Sequence, residues 1–260
     1  MFGGTFWGRH DSTESRDEAW LRASLAVVWL WTALAVFHPH YREVGRDYLS
    51  ALGLPDIVMY GTCACELVLG LWVLLHKTDK FLFSVQAALV FSFTVILALH
   101  SPLLLASPFG FLSKNLQFLC VLWVSFVLTR DRVFTPRTLH LLRFGMAFVW
   151  FTEGLFPKLL FQQPIELQMV PQMGISGVPP SWLIGFVGVC QILSGVLALL
   201  LKGKPLRVLL LLQTIALVFL PVAVFVLQPR LLFHPFGAFC KNVPILVGTW
   251  IVRKRCGGLH

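Results

Sequence analysis

Long apolar stretches separated by short polar segments dominate the chain. Eight of them are long enough to cross the hydrocarbon core of a bilayer as helices, which takes about 20 mainly apolar residues. The eight stretches cover residues 20–38, 57–76, 81–99, 109–128, 138–160, 181–201, 206–227 and 236–252. None of them alternates between apolar and polar residues as a barrel strand does. The pattern therefore predicts an all-α membrane protein with eight transmembrane helices.

Similar sequences recur at a nearly constant spacing in the two halves of the chain. The segment PLLLASPFGFLSKN (Pro102–Asn115) matches PRLLFHPFGAFCKN (Pro229–Asn242). Earlier in each half, LRASLAVVW (Leu21–Trp29) matches LRFGMAFVW (Leu142–Trp150). The chain is therefore two copies of one four-helix unit, and the duplication serves either packing alone or a site shared between the halves.

The repeat also predicts the domain organisation. Each copy has four predicted helices, so both copies begin on the same side and are parallel rather than inverted repeats. We expect two four-helix bundles, packed side by side and related by an axis along the membrane normal. The predicted units are a cytoplasmic N-terminal tail at 1–19, a first repeat at 20–128, a cytoplasmic linker at 129–137, a second repeat at 138–252 and a cytoplasmic C-terminal tail at 253–260.

Composition and charge agree with a membrane protein. Hydrophobic residues make up 57% of the 260 residues and charged residues 13%, about half the charged share of a soluble domain. The net charge of +9 is distributed over short segments between apolar stretches, which argues against a nucleic-acid-binding face. Fifteen of the 21 Lys and Arg residues lie on the side that carries both termini, so we expect cytoplasmic termini.

Charged and amide residues inside the predicted helices, or at their ends, are the candidate functional residues. An uncompensated charge in the hydrocarbon region costs a few kcal/mol, so such residues often mark a functional site. Two alternatives without a functional site stay open. The lysines extend to the lipid headgroups, or the carboxylates neutralise them as structural pairs. The candidate intramembrane polar site consists of Glu66, Lys114, Asn115, Glu153, Lys158, Gln191, His234, Lys241 and Asn242.

The repeated Pro-Phe-Gly and Lys-Asn phrase predicts a local structure. Proline suits the first turn of a helix, and glycine permits close approach of another backbone. We expect Lys114 and Lys241 to point into their own bundles, and at least one of them to pair with Glu66 or Glu153. Close approach is also expected one turn after Glu66 and Gln191, where both copies have a glycine, Gly70 and Gly195.

The two copies differ at chemically important positions. Glu66 corresponds to Gln191 and Thr32 to Glu153, while Ser107 corresponds to His234 and Phe37 to Lys158. These differences favour a site formed mainly by residues of the second half of the chain. Histidines on the predicted outer side are weak metal candidates whose spacing matches no metal motif, so we expect no metal site. These histidines are His38, His40, His100 and His234.

The residues resemble the DoxX and DoxX-like membrane proteins. The resemblance rests on the four-helix unit, its Leu-Arg start, GLFPK (Gly154–Lys158) and above all HPFGAFCKN (His234–Asn242), and covers nearly the whole chain as two tandem units. The first copy departs from the pattern, with Ser107 in place of the histidine and Phe37 in place of the lysine. Some relatives are membrane subunits of a thiosulfate:quinone oxidoreductase, and others accompany enzymes that detoxify thiols or superoxide.

The resemblance implies a membrane subunit associated with an oxidoreductase or with quinone-linked electron transfer. The expected partners are the lipid bilayer, other membrane or peripheral redox subunits and a quinone, and no nucleic acid. The expected location is a bacterial cytoplasmic (inner) membrane. Two alternatives stay open: a non-catalytic scaffold subunit of a larger complex, and a binder or carrier of a small apolar molecule. Whether the chain is an enzyme is left open.

Overall fold

The computed structural model describes residues 7–107, 110, 113–236 and 239–256. Within these ranges the chain is helical and contains no strand, which confirms the all-α class. Short turns of 3-10 or π-helix occur at Pro102–Ala106, Leu155–Leu160 and Pro229–Phe233. The α-helices of the described residues are α1 (Trp7–Ala35), α2 (Pro39–Ala51), α3 (Ile57–Leu75), α4 (Lys80–His100), α5 (Ser113–Asp131), α6 (Pro136–Gly154), α7 (Pro164–Gln172), α8 (Pro180–Leu200), α9 (Gly203–Leu227) and α10 (Asn242–Arg255).

Four of these helices, α3, α4, α8 and α9, are long and apolar enough to cross a membrane. Two further candidates are bent pairs: α1 with α2, and α6 with its π-helical turn and α7, each bent by 87°. The described residues therefore contain four to six candidate spans. A helix lies in each of the eight predicted ranges, but α5 and α10 do not reach that standard of length and hydropathy.

The four helices that are long and apolar enough to cross a membrane lie at the periphery. α3 packs against α1, and α8 packs against α6 in the same way. Large side chains on the outer faces are exposed, including Phe91, Trp182 and Phe219. Apolar faces of this extent require an apolar solvent, so lipid contact explains why α4 and α9 carry hydrophobic residues all round.

The centre of the molecule consists of α1, α5, α6 and α10. The last helix of each repeat packs against the first helix of the other repeat, α5 on α6 and α10 on α1. Leu25, Leu122, Leu142 and Ile245 are fully buried in the resulting core. The two repeats therefore interlock through their last helices, each of which also packs against the first helix of its own repeat, α5 on α1 and α10 on α6.

The Leu-Arg start of each repeat has a structural role. Arg22 Nη1 donates to the Val73 carbonyl oxygen at 3.0 Å, near the C-terminal end of α3. Arg143, at the equivalent place in α6, donates to the Ala198 and Leu201 carbonyl oxygens at the end of α8. The last carbonyl groups of a helix lack partners within the helix. Each arginine therefore caps the second long helix of its own repeat, α3 or α8.

Glycines allow the first and second long helices of each repeat, α1 with α3 and α6 with α8, to approach closely, as predicted. A Cβ atom on Gly70 would lie 3.1 Å from the Leu30 backbone nitrogen. A Cβ atom on Gly195 would lie 2.7 Å from the Ala147 carbonyl oxygen. Both helix pairs therefore depend on the absence of a side chain at these positions.

Helices α1 and α10 meet at one end of the described structure. Helix α1 already begins at Trp7, within the segment predicted as an N-terminal tail. Asp17 is fully buried there and accepts from Arg255 Nη2 at 2.7 Å and Lys254 Nζ at 3.2 Å. This contact joins the start of α1 to the end of α10.

The expected outer connections, 39–56 and 161–180, contain the short helices α2 and α7.

Candidate functional site

Two apolar cavities contain most of the predicted site residues. The first cavity, of about 270 Å³, is enclosed mainly by α1 to α5 and carries the polar side chains of Thr32, Tyr41, Glu66, Asn115 and Lys241. The second cavity, of about 330 Å³, is enclosed mainly by α6 to α9 and the start of α10. Its charged and amide side chains are those of Lys114, Glu153, Lys158, Glu166, Gln191 and Asn242.

The two repeats exchange their lysines between the cavities. Asn115 lines the first cavity, but its neighbour Lys114 lines the second. Conversely, Asn242 lines the second cavity and Lys241 the first. The expectation that each lysine points into its own bundle is therefore wrong. The reason is the interlocked packing, because α5 and α10 lie at the boundary and adjacent residues on a helix face different neighbours.

Each exchanged lysine meets a carboxylate that the sequence singled out. Lys241 shares the first cavity with Glu66, and Lys114 shares the second with Glu153. In both cases the charges are close enough to interact. Lys114 is 6% exposed, so it does not extend to the headgroups. Each cavity is thus shared between the halves of the chain.

The first cavity holds its polar side chains through a few local hydrogen bonds. Lys241 Nζ donates to the Phe236 carbonyl oxygen at 2.8 Å. Asn115 Nδ2 donates to Thr94 Oγ1 at 2.8 Å, so this amide connects α5 to α4. Glu66 is buried, and its Oε2 atom has no hydrogen-bond partner among the described residues. A carboxylate oxygen is therefore available within this cavity.

A buried ion pair forms one wall of the second cavity. Lys158 Nζ lies 2.7 Å from Glu166 Oε1, and both side chains are 8% exposed. The ammonium also donates to the Glu153 carbonyl oxygen at 3.3 Å. In an α-helix this carbonyl would accept from the N–H of residue 157, but Pro157 has none. The π-helical turn at this proline therefore presents the freed carbonyl to Lys158.

The glycine of the first Pro-Phe-Gly phrase approaches a side chain of the other repeat. Gly110 has a φ of +65°, and a Cβ atom there would lie 2.2 Å from Glu153 Oε1. The same carboxylate accepts from Ser113 Oγ at 3.2 Å. Gly110 is thus closely approached by a carboxylate side chain, whereas the approach of another backbone was expected. Pro108 and Gly237 lie outside the described residues.

Proline does not start a helix in the second phrase. Pro235 lies in a turn, and α10 begins only at Asn242. The prediction that this proline begins a helix is therefore wrong. The turn that contains Pro235 and Phe236 instead places the Phe236 carbonyl oxygen where Lys241 Nζ can donate to it. Gln191 and Asn242 both line the second cavity.

The predicted histidines lie apart from both cavities. His234 does not line either one, and its ring centroid lies 6.2 Å from that of His40. Burial, together with the nearby His40 and Lys241, lowers the pKa of His234 to about 4, so its imidazole is neutral at pH 7. His38 stacks on Phe233 at 4.1 Å.

No metal centre is formed by the histidines within the described part of the chain. His100 is exposed at the end of α4. Among the described residues, no three His, Cys, Asp or Glu side chains come together in a way that would hold a metal ion.

Glu166 is the main site residue that the sequence reasoning missed. It lies in the segment expected to be a simple outer connection, yet it is 7% exposed and pairs with Lys158. A signal was available: Glu166 stands alone in PIELQMV, between apolar residues of a short helix that begins with a proline. A lone carboxylate in such a helix needs a cation, and Lys158 is the nearest in sequence.

A comparison with protein families supports the tandem organisation. The model of the DoxX-like family matches residues 26–123 and again residues 147–250. These two segments make up most of the chain and fall within the two copies of the repeat. No curated protein matches the chain, and no solved structure does.

Proposed function

Because the chain belongs to the DoxX-like family, we propose that this multi-pass membrane protein binds a quinone and serves as the membrane subunit of an oxidoreductase. The observation that carries the proposal is the pair of apolar cavities with a few charged and amide groups in each. Their volumes lie near the lower end of the range for small-molecule sites, about 300–1,000 Å³.

The lining of the cavities suits a ring with polar oxygens and an apolar chain. Apolar side chains make up most of each wall, including Val28 and Phe118 in the first cavity and Val149 and Leu217 in the second. Such walls accept a ring and a hydrocarbon tail, while the ammonium and amide groups fix the polar end. The ammonium–carboxylate pairs also provide sites where a proton can be held during redox chemistry.

The proposal includes eight transmembrane segments in a bacterial inner membrane, with both termini in the cytoplasm. Helices α5 and α10 are less apolar because they contact other helices in the centre rather than lipid. A polar residue is tolerated at such a position if a neighbouring helix supplies its partner. The excess of Lys and Arg at the end that carries both termini supports the orientation.

The proposal is tested by titrating the purified protein with a short-chain benzoquinone in detergent. Substituting Thr62→Phe fills the first cavity, and Ala223→Phe fills the second. We expect each substitution to weaken binding at its own site at least tenfold and the double variant to lose binding. Matched controls, Val68→Phe and Val222→Phe, change exposed residues on the same two helices and should leave binding unchanged.

The titration also separates the proposal from a scaffold role. A scaffold subunit would copurify with other membrane or peripheral proteins and would show no saturable binding of the quinone. Absence of binding by the folded wild-type protein contradicts the proposed function. Binding that survives in the double variant contradicts the assignment to these cavities.

A further inference from the structure

We propose that the second cavity recognises a head group that donates hydrogen bonds, so that it binds the reduced, dihydroxy form of a quinone more tightly than the oxidised form. The inference rests on the proposed function and adds to it the redox state that the site prefers. It is carried by the imbalance between hydrogen-bond acceptors and donors in this cavity.

Three buried acceptor atoms in the second cavity have no hydrogen-bond partner among the described residues. They are Gln191 Oε1 on α8, Asn242 Oδ1 on α10 and Glu166 Oε2 on α7. Each of these side chains is at most 9% exposed and lines the cavity. A buried polar atom without a partner is costly, and native proteins rarely leave several in one place. The atoms come from three helices, so a ligand in the cavity can reach more than one.

The cations of the cavity already interact with protein acceptors. Lys158 Nζ is engaged by Glu166 Oε1 and by the Glu153 carbonyl oxygen. Lys114 faces the carboxylate of Glu153. The indole Nε1 of Trp150 is the one buried donor of this lining that lacks a partner among the described residues. Among the buried atoms of this lining without a partner, three are therefore acceptors and one is a donor.

This imbalance discriminates between the two redox forms of a quinone. The carbonyl oxygens of the oxidised form only accept hydrogen bonds. They therefore leave the acceptor atoms Gln191 Oε1, Asn242 Oδ1 and Glu166 Oε2 without a donor. Each hydroxyl of the reduced form donates one hydrogen bond and can still accept another from Trp150. A site that is built to bond a ligand hydroxyl rejects the analogue that lacks it.

The first cavity differs in a way that restricts the inference to the second. The indole Nε1 of Trp29, which corresponds to Trp150, donates to Gln86 Oε1 at 3.0 Å. Asn115, which corresponds to Asn242, is bonded to Thr94. Among the described residues, the buried polar atoms of this cavity without a hydrogen-bond partner are Glu66 Oε2 and the Tyr48 hydroxyl. The first cavity therefore presents fewer acceptors.

The test compares three ligands of similar shape under anaerobic conditions. They are a short-chain benzoquinone, its quinol and the dimethyl ether of that quinol, which keeps the ring but cannot donate. We expect the quinol to bind the second cavity about tenfold more tightly than either of the others. A tenfold preference raises the midpoint potential of the bound two-electron couple by about 30 mV, which redox titration can check.

Substitutions in the second cavity test which residues cause the preference for the quinol. Replacing the acceptors, by Gln191→Met and Asn242→Leu together, should abolish the preference for the quinol over both the oxidised form and the dimethyl ether. Gln172→Met is the matched control, since it removes an exposed amide from the end of α7, outside the cavity. Binding of the three ligands to the wild-type protein tests the preference even if a variant fails to fold.

The outcomes separate this inference from the proposed function. Equal binding of quinol and quinone, or tighter binding of the quinone, overturns the inference and leaves the proposed function standing. Tight binding of the dimethyl ether also overturns it. Failure of all three ligands to bind overturns the proposed function itself. A preference that survives in the double variant overturns the assignment to Gln191 and Asn242.

Discussion

At the scale of single residues, an added methyl group at Gly110 should be harmful for two reasons. Its positive φ disfavours any other residue, and a Cβ atom would meet Glu153 Oε1. We expect Gly110→Ala to destabilise the protein by about 1–3 kcal/mol. Gly61→Ala is the control, because it lies in α3 with no atom within 4 Å of the new Cβ and should stabilise slightly. Thermal unfolding in detergent measures both, and equal melting temperatures would contradict the account.

The ion pair of Lys158 and Glu166 gives a second prediction at this scale. Removing one partner leaves a buried charge, which costs about 3–5 kcal/mol. We therefore expect Lys158→Met and Glu166→Leu to destabilise strongly as single variants and less than additively together. A double-mutant cycle on the free energy of unfolding measures the coupling. Additive effects would show that the two groups do not stabilise one another.

The lowered pKa of His234 predicts that the stability of the folded protein depends on pH. Its pKa is about 4 in the folded protein and about 6.5 in an unfolded chain, so the unfolded state takes up a proton first as the pH falls. Stability from this residue is complete above pH 6.5 and is lost as the pH falls through about 4. The neighbouring charges of His40 and Lys241 contribute to the lowered value. His234→Asn should flatten the stability profile between pH 6.5 and 4, and an unchanged profile would refute the assignment.

At the scale of elements, the arginine caps explain why both repeats begin with Leu-Arg. Arg143 is 2% exposed, so its loss leaves the last carbonyl groups of α8 without a donor. We expect Arg143→Met to destabilise by about 1–3 kcal/mol, and Arg22→Met by less because that side chain is partly exposed. Hydrogen exchange should show faster opening at the end of the capped helix in each variant. Unchanged protection would contradict the capping role.

The long apolar helices were predictable from the sequence, but the short ones were not. Hydropathy located α3, α4, α8 and α9 to within a few residues, because a lipid-facing helix must be apolar on most of its surface. Helix α2 is amphipathic and polar on average, so a search for apolar stretches overlooks it. The start of α10 was predicted at residue 236 but lies at Asn242, because the apolar pattern begins before the helix does.

At the scale of the whole molecule, the duplication was visible in the sequence, but the exchange of lysines was not. Matching phrases identify corresponding residues such as Lys114 and Lys241, yet they do not show which repeat's cavity each side chain enters. That depends on α5 and α10 crossing between the repeats, a property of packing alone. The candidate residues of the cavities were therefore predicted largely as a set, whereas their pairing required the structure.

Topology is a prediction at this scale. Single cysteines placed at Asp47 and Gln172, which are exposed on α2 and α7, should react in intact cells with a reagent that does not cross the membrane. Cysteines placed at Lys77 and Lys204, exposed at the opposite ends of the helices, should react only after lysis. Native Cys256 cannot serve as the inner probe, because it is buried and donates to the Val252 carbonyl oxygen. Labelling of Lys204→Cys from outside would overturn the orientation.

The central claim is that the two shared cavities hold a small apolar redox molecule. Native mass spectrometry of the intact protein, released gently from its membrane, tests it most directly. The account predicts a bound quinone or quinol, at up to two per chain, that is lost from the Thr62→Phe/Ala223→Phe variant and kept by Val68→Phe/Val222→Phe. A folded protein that carries no such molecule, or that keeps it when both cavities are filled, would contradict the account.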